Sequence, residues 1–597
     1  MKLSDYVFQF LSKKEVTNIF MVSGGGIMHL SDSLRKTKEI NYHCNYHEQA
    51  CVIAAESYSR MSNRLGVCLV TTGPGSTNAL SAVAGAWVDS IPLLVISGQV
   101  RTQVLADYSK LRSMAPQEIN IDAMAKPVTK YFVTVKDPYS IQEHLEKALI
   151  AATTGRPGPV WINIPLDVQA YELEADLLKS RNIQITPENI SIQNLSRDIT
   201  LLANMIEKSR APLIIAGNGI RLSNAVQTFN KFVQNIKTPV LTSVGSLDVI
   251  GEEDPYYVGR YGNLGQRRAN ALLNHSDLII AIGASLSIAS IGFNYDLFAP
   301  NAKKVMINID PYESTKPVLP IDHAFDYDAN LFLSAFNETT EETIFSDKEE
   351  WIGVIQHFSK KYPILEKKLQ RHNGYINSYE FSYCLSELVD DKAKIITGIS
   401  LDFWSIFHSF KVKYGQRIYT TINYGAMGWC LPGLIGACVG SGNESSILVT
   451  GDGSFQMNIQ ELLTIKYEKL PVTIFIFDNQ GYQSIRSTQD SYFDSKYIGS
   501  DINTGILNPD YEKLASAYDI SYSEINGDDN LKDGIRDALA LKQPAICRVL
   551  ISPEQERRPR LKPRTQIDGS RAAIDDMFPF RPLEEIEENR KMFYDEG

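Results

Sequence analysis

No stretch of this 597-residue chain stays apolar for the roughly 18 residues that a membrane-crossing helix needs, so a membrane span is not expected. The opening MKLSDYVFQFLSKK is amphipathic and carries both acidic and basic residues, and no signal-peptide core follows it. Cysteine is scarce. The seven cysteines (Cys44, Cys51, Cys68, Cys384, Cys430, Cys438 and Cys547) form no CxxC pair, and several lie inside apolar segments. They read as buried free thiols rather than a disulfide or zinc framework, which suits a reducing cytoplasm. Positive charge does not dominate. The net charge of −11 excludes a nucleic-acid partner held by bulk electrostatics. What remains is the composition of a soluble globular protein, and a chain too long for one core.

Apolar runs ending in polar, glycine-rich turns recur along the chain. In the first block, Ile19–Val22 runs into Ser23-Gly24-Gly25-Gly26. His47-Glu48 opens a small-residue helix over Ala50–Arg60. Gly66–Thr72 ends in Thr72-Gly73-Pro74-Gly75-Ser76-Thr77-Asn78, and further strands are expected at Pro92–Ser97 and Val160–Ile164. The second block has strands at Pro212–Ala216, Pro239–Thr242, Leu278–Ile282 and Lys304–Ile309, with Gly217-Asn218-Gly219 after the first. A lone GxG of this kind marks either a nucleotide site or a tight turn. The third block opens with Ala393–Ile396, followed by Thr397-Gly398-Ile399-Ser400. Strands alternating with helices predict an α/β fold of three doubly wound parallel-sheet domains. We place these at 1–172, 196–345 and 373–552, with a polar linker near 171–195, a charged helical linker over 346–372 and a C-terminal arm at 553–597. The arm is rich in Arg, Lys and Pro over Gln555–Arg571 and acidic over Glu584–Asn589, and is expected to end in a short helix.

Residues 449–483 carry the most chemistry. Ser446–Thr450 reads as a buried strand ending in Gly451-Asp452-Gly453-Ser454. A helical stretch with Met457, Ile459, Leu462 and Ile465 follows. A second strand, Val472–Phe477, then ends in Asp478-Asn479-Gln480-Gly481-Tyr482. Both turns fall at the carboxyl ends of strands in a βαβ unit, where open α/β sheets bind ligands. Glycines let backbone N–H groups approach a phosphate. Mg²⁺ needs hard oxygens, and Asp452 offers a carboxylate, Asn479 an amide oxygen and Gly481 a backbone carbonyl, with room for diphosphate oxygens. A bare GDG is usually a surface turn. GDGS followed 27 positions after its Asp by Asn-x-Gly-Tyr is far more specific, and it resembles the thiamine-diphosphate (ThDP) motif of the acetolactate synthase and pyruvate decarboxylase superfamily.

The resemblance extends over nearly the whole chain. TGPGSTNAL, SGQV, GRPGPVWINIPLDVQ, YGAMGWCLPGLIGA and GDGSFQMNIQEL all look like acetolactate synthase catalytic subunits, in the same order. It implies pyrimidine, central and diphosphate domains, and ThDP with Mg²⁺ as cofactors. Glu48 takes the place of the carboxylate that protonates the aminopyrimidine so that the cofactor's C2 can lose its proton. Taken alone, a Glu opening a helix is usually a surface residue that complements the dipole. Gln117 and Met427 are implied as its catalytic companions. Met427 is the apolar wedge that bends the cofactor, although a Met between glycines is otherwise plain core packing. The Gly425 carbonyl is implied to accept from the cofactor's amine. Gly24, Gly25, Pro74 and Asn78 are implied on the pyrimidine side, and Gly398, Ile399, Ser400, Gly453, Ser454 and Tyr482 on the diphosphate side. Asp452, Asn479 and Gly481 remain the metal set. In this family the two halves of a site come from different subunits, so a homodimer or homotetramer is implied.

The departures concern the acceptor. Where the synthases have Arg-Phe-Asp-Asp-Arg-Val-Thr-Gly, this chain reads Ser285-Leu286-Ser287-Ile288-Ala289-Ser290-Ile291-Gly292. Ala289 stands at the Arg that grips the second keto acid, and Ala cannot replace a guanidinium. Thr488 stands where the synthases have Trp, and Pro116 where they have Phe. Leu401-Asp402 replaces a Gln-His pair in the diphosphate loop. The altered stretch also belongs to the synthases' FAD site. Gly217-Asn218-Gly219 and Gly259-Arg260-Tyr261-Gly262 remain as candidate contacts, so FAD stays open. The resulting expectation is a carboligase that decarboxylates a 2-keto acid such as pyruvate and adds the two-carbon unit to a carbonyl acceptor larger than pyruvate. A nucleotide-linked keto-sugar is one such acceptor, because Asp576-Met577-Phe578-Pro579-Phe580 resembles the tail of synthase-like enzymes from polysaccharide gene clusters. The alternatives are a true acetolactate synthase, a simple lyase and a catalytically silent relative.

Overall fold

The computed structural model of the protein describes residues 1–174, 192–292, 294–365, 369, 372–562, 564 and 573–592. Three six-stranded sheets, parallel throughout, form its frame. The first sheet has β1 (Asn18–Met21), β2 (Asn41–Cys44), β3 (Gly66–Val70), β4 (Leu93–Gln99), β5 (Tyr131–Thr134) and β6 (Pro159–Pro165), in the order β2-β1-β3-β4-β6-β5. The second has β7 (Pro212–Ala216), β8 (Val240–Thr242), β9 (Tyr257–Arg260), β10 (Leu278–Ile282), β11 (Lys303–Ile307) and β12 (His323–Phe325), in the order β12-β11-β10-β7-β8-β9. The third has β13 (Lys394–Thr397), β14 (Arg417–Tyr419), β15 (Ser446–Gly451), β16 (Val472–Asp478), β17 (Ser521–Ile525) and β18 (Ala545–Leu550), in the order β14-β13-β15-β16-β18-β17.

Each order reverses near its centre, between β1 and β3, between β7 and β10, and between β13 and β15. Doubly wound sheets open a crevice at such a point, outside the carboxyl ends of the strands. Several of the glycine turns singled out in the sequence lie there. Gly24 and Gly73–Gly75 follow β1 and β3, Gly217–Gly219 and Gly283 follow β7 and β10, and Gly398 and Gly453 follow β13 and β15.

Two expectations need correction. The helix Glu349–Lys361, which its sequence assigns to a linker, belongs to the central block. Trp351, Val354, Ile355 and Phe358, spaced i, i+3, i+4, i+7, are buried in the central core, and Trp351 donates to the Pro212 carbonyl at 2.9 Å. Its terminal charges, Glu349, Glu350, Lys360 and Lys361, give it the look of a linker. The helical stretch expected after Ser454 is divided into Asp452–Gln456, a 3₁₀ turn at Ile459–Glu461 and Leu462–Glu468. The polar linker expected near 171–195 falls largely outside the described residues.

The first and third blocks share one core. The helix Glu48–Ser62 packs against the helix Cys430–Gly440, and residues of both lie in a single buried cluster. A side chain on Gly436 would overlap the Ala54 carbonyl, so only glycine permits this approach. Buried charges reinforce the seam. Arg60 bridges Glu56 and Asp89, and Asp89 accepts from the backbone N–H groups of Ile422 and Asn423 at 2.7 and 2.9 Å. Glu461 accepts from Asn45 at 2.8 Å and from the Tyr46 N–H at 2.9 Å. Among the described residues no helix is long and apolar enough to cross a membrane.

The arm is less free than its composition implies. Arg560–Leu561 pairs antiparallel with Met577–Phe578. Met577 is fully buried, and Arg267 donates to the carbonyls of Met577 and Pro579 at 2.9 and 2.5 Å. The terminal helix, Leu583–Lys591, is present as expected.

Candidate active site

The pyrimidine-side residues gather at the switch point of the first sheet. Gly24 backs onto Thr71, and a Cβ there would lie 2.5 Å from the Thr71 Cβ. The Gly26 N–H donates to Thr71 Oγ1 at 3.2 Å. Glu48 is the first residue of its helix, behind an N-cap at which the His47 ring accepts from the Gln49 N–H. Its Oε2 accepts from Asn78 Nδ2 at 3.0 Å, and a Cβ on Gly75 would lie 3.1 Å from Oε1. Gly75 therefore leaves the carboxylate uncovered. No cation lies within ion-pair distance of Glu48 among the described residues. Gln117 is exposed, and its carbonyl packs so closely on Gly73 (φ +62°) that any side chain there would overlap it. Gly25 and Pro74 present open surface beside this group.

The diphosphate-side residues gather at the third switch point. Asp452 is buried at the start of its helix. Its Oδ1 accepts from the Gly453 N–H at 2.7 Å. Its Oδ2 accepts from Asn508 Nδ2 at 2.8 Å and from the N–H groups of Gly481 and Asn479 at 3.0 and 3.2 Å. Burial, aided by the negative charge of Asp478, pushes the Asp452 carboxyl up to about 6 despite these bonds. Asn479 Oδ1 is buried with no hydrogen-bond partner. An orphaned acceptor beside a carboxylate held at a cost is what an absent cation leaves behind. With the Gly481 carbonyl (Gly481 at φ +124°) the set fits Mg²⁺. Among the described residues no cluster of three or more His, Cys, Asp or Glu forms a metal site, and this set uses only one such residue.

Gly453 makes a cradle. A Cβ there would overlap the Tyr482 ring and lie 3.3 Å from the Met427 methyl, so the ring and Met427 converge over a bare backbone. The Gly428 N–H donates to Ser454 Oγ at 3.0 Å, and Gly425 sits at φ +62° on the same loop. Ser400 Oγ pairs with Ser484 Oγ at 2.6 Å, and Ile399 reaches the cleft of the central block. Asp402, in the loop expected to meet the diphosphate, turns back. It accepts from the N–H groups of Ser400 and Gly451 at 2.9 and 3.1 Å, fills the space over Gly398, and is pushed up to about 6 mainly by burial. Leu401 is buried in the core.

Several supporting residues were not singled out in the sequence. Asn508 bridges Asp452 and Asp478, donating to the latter at 2.7 Å. Arg486 clamps the carbonyls of Asn479, Gln480 and Ser500 at 2.8 to 3.1 Å and so fixes the Asn479–Gly481 loop. Thr71 supports Gly26, and Glu461 anchors the segment before Glu48. Asn508 and Arg486 lie outside the motif; a polar residue with no other duty was the only signal they gave. Within one chain, no hydrogen bond or ion pair among the described residues joins the Glu48 group to the Asp452 group.

The second switch point opens a cleft of about 560 Å³ lined by Gly217, Asn218, Gly219, Gly245, Gly283 and Ala289, among others. Tyr261 lines it too. Arg260 does not: it is wholly buried and donates to the carbonyls of Phe407 and Phe410 at 3.1 and 2.7 Å. Ala289, Thr488 and Pro116 are all exposed.

Two glycine-floored half-sites, one with a carboxylate at a helix start and one with a metal-ready carboxylate and amide, define an α/β enzyme that binds a diphosphate cofactor. Family comparison agrees. Residues 1–125 match the thiamine pyrophosphate enzyme N-terminal TPP binding domain, 199–336 its central domain and 400–549 its C-terminal TPP binding domain. The chain is 31% identical over 569 residues to the acetolactate synthase large subunit of Cyanidium caldarium, covering 93% of this chain and 94% of that protein. It is 31% identical over 563 residues to the probable acetolactate synthase large subunit of Methanocaldococcus jannaschii, covering 93% of each. To the mitochondrial acetolactate synthase of Schizosaccharomyces pombe it is 28% identical over 564 residues, covering 91% and 82%. The chain belongs to the thiamine pyrophosphate enzyme family, as an acetolactate synthase-like, ThDP-dependent enzyme that forms carbon–carbon bonds.

Proposed function

We propose that the enzyme decarboxylates a 2-keto acid, with pyruvate as the first candidate, and transfers the two-carbon unit to a carbonyl acceptor that is not itself a 2-keto acid, such as a nucleotide-linked keto-sugar. When bound, ThDP supplies the reactive carbon and the electron sink. Glu48 holds and moves a proton through its uncovered Oε1, oriented by Asn78 at Oε2. Asp452, Asn479 Oδ1 and the Gly481 carbonyl hold Mg²⁺, and Gly453, Ser454 and Ser400 present donors to the diphosphate. Met427 and Tyr482 form the apolar wall that keeps water out. In this reading Glu48 of one subunit faces Asp452 of another, in a homodimer or in a tetramer built from such dimers.

One observation carries the acceptor reading. At Ala289 the rim offers an exposed methyl where carboxylate recognition needs a guanidinium, and Thr488 leaves its helix face open. A second reading, condensation of two pyruvates to acetolactate, is favoured by the names of the relatives. The test is mass spectrometry of products from pyruvate alone and with a panel of nucleotide keto-sugars and aldehydes. Slow acetolactate formation and faster pyruvate consumption with an acceptor are expected, and Ala289→Arg with Thr488→Trp should shift product back to acetolactate. Acetolactate formed from pyruvate alone at a rate no acceptor can outcompete would establish the second reading instead. The central cleft has the glycine rim and volume of a nucleotide site. Whether its occupant is FAD is read directly from flavin absorbance of the purified enzyme.

A further inference from the structure

A second cavity, of about 710 Å³, opens between the metal loop and the C-terminal arm. Gln480, Gln483 and Ser487 form its inner wall, and Arg558, Arg560 and Lys562 its outer one. Gln480 and Gln483 flank Gly481-Tyr482, so the cavity adjoins the cofactor site directly. The arm is held in place from both sides. The Leu561 N–H donates to the Asn263 carbonyl at 2.8 Å, and the Asn263 N–H donates to the Ala289 carbonyl at 3.0 Å. Arg560 donates to Ser487 Oγ at 3.1 Å, one residue before Thr488. The arm thus spans two of the three positions at which the acceptor pocket departs from the synthases, Ala289 and Thr488.

The cavity's lining carries four basic side chains, Arg486, Arg558, Arg560 and Lys562, and four carboxylates, so its formal charges balance, but they are unevenly paired. Its carboxylates are already engaged: Asp490 by the Tyr497 hydroxyl at 2.7 Å, Asp501 by Thr504, Glu556 by the Arg558 fork, and the outward-lying Glu554 at 3.7 Å from His372. Arg560 and Lys562 have no carboxylate within ion-pair distance among the described residues. Their cations lie 5.8 and 5.3 Å from the Phe578 ring, which orients them without neutralising them. Arg560 Nε and His372 Nε2 are buried with no hydrogen-bond partner. Arg557 stands near enough to Arg560 for like charge to depress its pKa, with burial the larger cause. Arg560 and Lys562, unpaired by any carboxylate among the described residues, leave donors on which an anion can settle, and a phosphoryl group matches the fork of Arg560.

The geometry points to this cavity as the binding site for the diphosphate of a nucleotide-linked acceptor, with Arg560 and Lys562 gripping the phosphoryl oxygens and the carbonyl end directed past Gln483 to the cofactor. The inference rests on the acceptor reading above and adds the residues that would recognise it. The arm sets specificity by charge, at a distance from the reacting carbon.

The test uses the full-length holoenzyme with saturating ThDP and Mg²⁺, titrated calorimetrically with UDP. The wild type should bind UDP in a salt-sensitive manner. Arg560→Gln with Lys562→Gln should weaken binding at least tenfold, while Arg560→Lys, which keeps the charge, should retain most of it. Carbon dioxide release from pyruvate without acceptor should be unchanged in the double variant, which also reports that the fold survives. Lys562→Gln alone provides the measurement if Arg560→Gln fails to fold. Equal UDP affinity in wild type and variants, or no UDP binding by the wild type, overturns the site. If a nucleotide keto-sugar is a substrate whose KM the double variant leaves unmoved, the site is wrong and the acceptor reading stands. If the variants lose UDP binding but no keto-sugar is ever a substrate, the site stands and that reading falls.

Discussion

Acidification separates the protein with its metal from the protein without it, and the sign differs between the two. Burial and the charge of Asp478 push the Asp452 carboxyl up to about 6, from an ordinary value of 3.8. A group whose folded-state pKa is raised binds its proton more tightly in the native state. Its contribution to metal-free stability is therefore fully present below about pH 4 and lost as pH rises through about 6. A rise of that size corresponds to something on the order of 3 kcal/mol, all of it an ionisation cost that the metal-free protein bears at neutral pH. Mg²⁺ relieves that cost, and protons compete with it for the same oxygens. From about pH 7.5 to about pH 5 the ionised fraction of Asp452 falls from nearly all to about one-tenth, so Mg²⁺ affinity should fall about tenfold, with the decline beginning near pH 6. The assay is a calorimetric Mg²⁺ titration at fixed, saturating ThDP across that range, with protonation of the free cofactor measured separately and subtracted. Thermal melts of the metal-free protein over the same range should show the opposite trend from this group. A Mg²⁺ affinity that stays flat down to pH 5 would falsify the assignment of Asp452 as the buried metal ligand.

Other changes test the two half-sites separately. Glu48→Gln should leave ThDP bound yet slow proton exchange at the cofactor's C2 by roughly 10²–10⁴-fold, followed by NMR; undiminished exchange removes Glu48 from the proton path. Gly453→Ala places a methyl 2.6 Å from Tyr482 Cδ1 and 3.3 Å from the Met427 methyl. Overpacking of this kind costs the fold about 1–3 kcal/mol, so the melting curve of the unliganded protein should shift down and ThDP affinity should fall as the Tyr482 ring is displaced; unaltered affinity would show that the cradle is not the cofactor's floor. Asn508→Ala leaves Asp452 and Asp478 facing each other without their shared donor. It should raise the pH at which Mg²⁺ binding fails, measured by the same titration, and a lowered or unmoved midpoint would argue that Asn508 serves another purpose.

How much of this was legible in the sequence follows from burial. The strands read from apolar runs are interior ones such as β3, β4, β7, β10, β15 and β16, whose residues are buried almost throughout. The six strands that give no such run, β2, β5, β9, β12, β14 and β17, are the outer strands of the three sheets. An outer strand packs one side and wets the other, so Asn41–Cys44 has a single buried residue and Ser521–Ile525 only one. Interior β18 is also hidden, because Arg548 interrupts its apolar run; that arginine pairs with Asp478 and Glu524. In the site, glycines and the Asp452-to-Asn479 spacing were visible because backbone approach and metal coordination restrict residue type. Asn508, Arg486 and the turned-back Asp402 were not, since their roles depend on contacts between distant segments. The arm showed its charge in the sequence, but not that Phe578 and Ser487 would hold that charge against the cofactor site.

The glycine seam between the helices Glu48–Ser62 and Cys430–Gly440 has a consequence for anyone cutting or recombining this chain. The pyrimidine and diphosphate blocks, though separated by more than two hundred residues of sequence, interlock at contacts with no room for an extra methyl. Residues 1–174 produced alone would present the Ala54–Tyr58 face to water and invite aggregation. A chimera joining one relative's first block to another's third must carry both partners of the seam, Gly436 with Ala54 and Asp89 with the Ile422–Asn423 backbone. The central block is tied in as well, by Asp248 to Arg417 and the Ile418 N–H and by Arg260 to the Phe407 and Phe410 carbonyls, so an exchanged central block must keep those partners.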